Sequence, residues 1–377
     1  MRTKNKQKLT RNTETEAADR GSERTTRVGR RSFLKRLSWG GAVLGPGAGW
    51  LASGGLAGAD PGGHLTRGDA AILRFLAAAE ILETDLWQQY NEVALGNPAF
   101  QQGLFSLDED MPSYVNQNTR DELSHAQFIN AYLVSKGQRP VSLEHFRKLP
   151  SSQASGAVKA AKRLTNLMNL SVDTSWYTRY RGQRNPDFGD TFPQIANLVN
   201  LPAIPNSDLP LGSDEAQLIA NTAGFHFATI EQGGSSLYDS FIPKASNLEV
   251  LRIVTAIGGT EIQHFEVWQD KAGNAPPVPA DTGALFPVLP HAPDQTPNGQ
   301  DPAEPIDTNQ IMARPCEFIS PQLPLCSVIR PTSTAKAGAV AAATGWTQSG
   351  LFNGQSDEFF AVLFELAEQA DEARRTF

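Results

Sequence analysis

The chain has 377 residues, with 33 lysines and arginines against 40 aspartates and glutamates, a formal net charge of −7, and only two cysteines. That length holds one or two domains, and two thiols are too few for an iron or zinc module built on four cysteines. Residues 1–59 carry 12 of the basic and 4 of the acidic side chains, so the remainder stands at −15, a surface that argues against nucleic acid and anionic lipid as partners.

At the N-terminus, Arg30-Arg31-Ser32-Phe33-Leu34-Lys35 precedes an uncharged, glycine-rich stretch from Leu37 to Ala59. The pattern resembles a twin-arginine export signal, and Ala57-Gly58-Ala59 offers the small-x-small cleavage pattern that would leave Asp60 as the new N-terminus. A stretch of 23 residues is also long enough to cross a bilayer, but its glycines and mild hydrophobicity fit a signal better. The expectation is export through the twin-arginine translocase to the periplasm or beyond the cell, without stable membrane insertion after cleavage.

Helical spacing then runs from about Thr66 to Ala94, with Ile72, Leu76, Ala79, Glu83, Leu86 and Tyr90 on one face. A second helix spans about Ser113 to Ser135, ended by Gly137 and Pro140. The connection 137–212 is too long for a bare loop; Ala157 to Tyr180 reads as one or two added helices and Asn185 to Pro210 as turns. Ser213 begins a third helix with Asp214 and Glu215 in its first turn, where carboxylates favour the helix dipole, and Pro243 ends it. The fourth runs from about Asn247 to Ala272. Short links within each pair and one long crossover predict an all-α bundle of two antiparallel pairs over 60–272. Beyond it, Gly273 to Pro315 reads as an extended, proline-rich segment. An exported chain meets oxidising conditions, so a Cys316–Cys326 disulfide is expected there. Ser356 to Arg375 closes the chain as an amphipathic helix carrying Phe359, Phe360, Leu363, Phe364 and Leu366.

The chemistry sits on the four central segments. Glu122-Leu123-Ser124-His125 recurs as Glu261-Ile262-Gln263-His264, and each copy follows a helix in which a glutamate precedes a tyrosine by seven residues, Glu83 to Tyr90 and Glu231 to Tyr238. Residues three apart share a helix face, so each Glu-x-x-His can hand one carboxylate and one imidazole to a single point. The motif is short enough to arise by chance; its order along the chain, with the repeated glutamate-to-tyrosine spacing, is what raises it.

Ala79-Glu80-Ile81-Leu82-Glu83-Thr84-Asp85-Leu86-Trp87 is similar to the first helix of the ferritin-like superfamily, within it the exported ferritin-like and desiccation-related proteins. Asp121-Glu122-Leu123-Ser124-His125-Ala126 is similar to the second helix of that group. The resemblance covers about 67–136 and 213–272, and the connector and the C-terminal third lie outside it. It implies a ferritin-like four-helix bundle whose Glu83, Glu122, His125, Glu231, Glu261 and His264 hold two metal ions, iron or manganese. Glu80 is the rival to Glu83, and the matching of Tyr90 with Tyr238 favours Glu83. Dioxygen or peroxide is then the expected small-molecule partner.

Two functions stay open. One is a redox or ferroxidase-like centre; the other is a non-enzymatic stress or desiccation scaffold whose metal is structural or absent. Storage in a shell fits poorly with the long insert and C-terminal extension. Tyr90 and Tyr238 read as core residues with satisfied hydroxyls, and His64, His145, His226 and His291 as structural or exposed. Asp121 points about 100° away from Glu122, towards solvent. Gly233 and Gly234 either leave room beside the metals or allow close helix packing.

Overall fold

The computed structural model describes residues 65–176, 194–279, 282–286, 309, 315–328 and 338–376. The expected export signal over 1–59, His64, His291 and most of the proline-rich stretch lie outside the described residues. The described chain is mostly helical, with α1 at Arg67–Gly96, α2 at Pro98–Phe105, α3 at Met111–Ser135, α4 at Asp214–Phe241, α5 at Leu248–Ala272, α6 at Ala339–Gln348 and α7 at Asp357–Asp371. Two-residue to four-residue strands form three antiparallel ladders: β1 (Leu149–Pro150) with β2 (Lys162–Arg163), β3 (Leu170–Val172) with β4 (Leu198–Leu201), and β5 (Pro315–Cys316) with β6 (Cys326–Ser327). No described helix is long and apolar enough to cross a membrane.

The helices start where side chains can satisfy their unpaired N–H groups. Thr66 accepts from Asp69 N, Ser213 from Ala216 N, Asn247 from Glu249 N and Val250 N, and Ser356 from Phe359 N. The four long helices pack as α1 with α3 and α4 with α5. Thr119 Oγ1 donates to Trp87 O while Asn116 Nδ2 donates to Asn91 Oδ1, so one helix of the first pair runs against the other. In the second pair the contacts of Glu231 with His264 and of Tyr238 with Gly258 follow the same descending order. α2, absent from the sequence reading, fills the link between α1 and α3, and its Gly103 lies so close to Ala220 of α4 that an added Cβ would come within 2.6 Å.

The expected helices over Ala157 to Tyr180 do not form across residues 157–175, which hold turns, β2 and β3; helical backbone begins only at Trp176, the last described residue of that stretch. Leu164, Leu167 and Leu170 are all fully buried at threefold spacing, a pattern that mimics a helix face. Their backbone, however, bonds elsewhere: Leu164 N and Thr165 N donate to the Asp85 carboxylate, Asn166 N to Leu351 O, and Ser171 N to Ser349 O. With the N–H groups committed to distant acceptors, no helical ladder is left to make. Asp85, itself fully buried, also receives Thr165 Oγ1 and Arg147, and so nails the insert to α1.

The C-terminal helix docks as its apolar spacing requires. Phe359, Leu363, Ala367 and Ala370 are buried, with Phe359 edge-on to Phe352 and Phe146. At one end of the molecule Asp69 accepts from Ser246 N and Asn247 N in the α4–α5 turn, and Thr376 N donates to Ser246 Oγ. Cys316 and Cys326 are register partners across β5 and β6, but the structure does not join their sulfurs.

Candidate metal centre

Each long helix turns acid into the space between the two pairs. α3 presents Asn118, Glu122 and His125 at positions that share one face; α5 presents Glu261 and His264, α4 Glu231, and α1 both Glu80 and Glu83. Glu80, Glu122, Glu231 and Glu261 are at most 1% exposed. Two groups form there: Glu80, Glu122, His125 and Glu261, and Glu122, Glu231, Glu261 and His264. Within each group one ligand atom per residue lies within 4.8 Å of all the others. Glu122 and Glu261 belong to both.

Both imidazoles turn Nδ1 inward. His125 Nδ1 lies 3.1 Å from Glu122 Oε2 and 3.5 Å from Glu80 Oε2 and Glu261 Oε1. His264 Nδ1 lies 3.1 Å from Glu122 Oε1 and 3.2 Å from Glu231 Oε2, and its Nε2 lies 3.2 Å from Asp121 Oδ2. Asp121 is thus half in solvent, as the sequence reading expected, and still holds the outer edge of a candidate ligand, an arrangement that orients metal-binding histidines. Asn118 is a support that sequence reasoning missed. Its Nδ2 donates to Glu122 Oε1 at 2.8 Å and Glu231 Oε1 at 2.9 Å, while its Oδ1 accepts from Trp268 Nε1 at 2.7 Å. The one available signal was its place a helical turn before Glu122.

Five of the six residues expected from sequence, Glu122, His125, Glu231, Glu261 and His264, fall within these two groups, and the α1 position in them is Glu80. Glu83 is half-buried beside them, its Oε1 shielded from solvent. The two tyrosines are not equivalent. Tyr238 donates to Glu80, whereas Tyr90 Oη meets His226 Nδ1 at 2.7 Å. Gly234 has a defined role, because a Cβ there would collide with the Glu261 carboxylate.

The charges of this cluster are unbalanced. Burial, and then repulsion by Glu122, holds the Glu83 and Glu261 carboxyls well above the usual range. Burial and Glu231 lift Glu122 to about 7, against the hydrogen bonds from His125 and His264. Burial opposes charge on both imidazoles, yet the facing carboxylates outweigh it, raising His125 to about 10 and His264 as well. Glu80 Oε2, Glu83 Oε1 and both oxygens of Glu261 are buried without a hydrogen-bond donor. Buried carboxylate oxygens left so are costly, and a bound cation is the simplest group that satisfies several at once. A mixed set of carboxylates and two imidazoles is a donor set that metal ions accept.

No family model matches the chain, and no curated protein or solved structure matches it.

Proposed function

We infer that the chain is an exported protein with a ferritin-like four-helix bundle that holds two iron or manganese ions. The observation that carries this reading is the set of four donor-less carboxylate oxygens inside two overlapping Glu/His groups. Glu80 with His125 would hold one ion and Glu231 with His264 the other, with Glu122 and Glu261 shared between them. Such ions, when bound, supply redox chemistry towards dioxygen or peroxide. The chain's own part is to hold them apart from bulk water: Asn118 orients Glu122 and Glu231, Asp121 orients His264, and Tyr238 donates its proton's hydrogen bond to Glu80. The twin-arginine pattern at Arg30 and Arg31 supports passage through the translocase after folding in the cytoplasm, where metal can be acquired.

Metal analysis of the protein, with His125→Ala and His264→Ala beside it, tests the reading. Wild type should carry about two ions per chain and each variant should lose at least one, since each loses that ion's imidazole donor. The variants should also melt earlier, because the remaining carboxylates lose their compensating cation. Under one ion per chain in wild type, with variants within about 0.5 kcal/mol of it, would leave a stress or desiccation scaffold instead.

A further inference from the structure

Beside the carboxylate cluster lies an open cavity of about 340 Å³. That is far more than a water molecule needs and within the range of small-molecule sites. Its floor includes Glu80 and Glu83, and its walls are mostly hydrocarbon: Leu82 and Leu86 from α1, Ile230 and Leu237 from α4, Trp346 from α6 and Leu351 beyond it. Ser171 of β3 completes one side. The insert and the C-terminal third, which carry none of the candidate ligands, therefore share in building this chamber. Ser171 N donates to Ser349 O, so the two segments are tied together at its edge.

The lining chemistry restricts the occupant. Among the described residues no lysine or arginine lines the cavity and three carboxylates do, so an anion would meet their repulsion. Two of the three carboxylates are already committed, which weakens the hold on an organic cation against walls that are mostly hydrocarbon: Asp173 accepts from Ser175 N, Ser175 Oγ and Gln194 Nε2, while Glu80 accepts from the Tyr238 hydroxyl and faces the His125 imidazole. Among the described residues, His226 keeps an open position: Tyr90 occupies its Nδ1, and its Nε2 has no partner in a ring that lines the cavity.

We propose that this cavity is a binding site for an uncharged, largely apolar organic molecule bearing one hydroxyl or carbonyl oxygen, placed between His226 and the Glu80–Glu83 end of the cluster. That the molecule meets metal ions there rests on the function inferred above; its binding does not.

The test is calorimetric titration of the full protein, metal-loaded and metal-free, with three probes of one shape: 4-ethylphenol, 4-ethylbenzoate and 4-ethylbenzylammonium. Gly233 lines the cavity and a Cβ added there meets nothing within 4 Å, so Gly233→Leu fills the space without a clash. As leucine favours a helix over glycine, this variant should melt no lower than wild type. Gly259→Leu, also open but away from the cavity, is the matched control. Ala342→Phe obstructs the site from α6. The phenol should bind at least about tenfold tighter than either charged probe, and both cavity variants should weaken it by about tenfold or more while Gly259→Leu does not. Equal binding by a charged probe, no binding of the phenol, or unchanged affinity in both cavity variants would overturn the proposal. Binding retained by a protein that takes up no metal would sink the dinuclear reading alone, and metal uptake without phenol binding would sink this one alone.

Discussion

Glu80 and Glu83 sit about one turn apart on α1, and the structure gives them different surroundings. Glu80 joins the group of His125 and receives the Tyr238 hydroxyl, whereas Glu83 is beside that group with carboxylates for neighbours. On the proposed two-ion reading, Glu80→Ala should lose about one metal ion per chain, while Glu83→Ala should keep both and relieve repulsion; elemental analysis of the pair checks this, and the reverse order would return the role to Glu83. Burial alone lowers the His226 pKa to about 3. Its neutral form is the folded one, so as pH falls below the unfolded value of 6.5 the unfolded chain takes up a proton that the fold refuses, and stability drops until about pH 3. His226→Gln should lose less stability between about pH 7 and pH 4 than wild type, by on the order of 2–3 kcal/mol, in denaturant titrations at the two pH values. The residues of the Glu-x-x-His repeats were legible because threefold spacing on a helix is visible in a linear string. Asn118 and His226 were not, since their value depends on which side chains from other helices arrive opposite them.

At the scale of elements, the long helices were legible from their caps: Thr66, Ser213 and Asn247 each sit where the sequence placed a start, and the observed ends differ by a few residues at most. Residues 157–175 were not legible, because a threefold leucine pattern cannot reveal that a buried aspartate 80 residues earlier will take the backbone donors. Nor was α6, a short alanine-rich helix without a side-chain cap. Asp85 is the joint between the helical frame and the insert. Asp85→Ala leaves Leu164 N, Thr165 N and Arg147 without their acceptor and should cost roughly 3–5 kcal/mol, as removal of one partner from a buried charged network does. Chemical denaturation of the variant measures it, and a loss below about 1 kcal/mol would mean that the insert is held mainly by its leucines.

At the scale of the molecule, the basic first 59 residues, with their paired Arg30 and Arg31, and the acidic remainder divide the chain into parts of opposite charge. If residues 1–59 direct export, replacing Arg30 and Arg31 together by lysine should trap the precursor in the cytoplasm, and sequencing of the exported form should begin near Asp60. Retention of Met1 on an external, membrane-held form would point to an anchor. The cavity was hidden from any linear reading, since its walls come from residues around 80, 171, 230 and 346. The clasp at Ser246 has a temporal consequence. Asp69 near the start of the described chain and Thr376 near its end both bond this one residue, across separations of 177 and 130 positions. During synthesis the first helix waits for the fourth before it finds this partner, and Thr376 arrives a further 130 positions on. Contacts of such long range form late, so the clasp closes only after the long helices between its parts have been made.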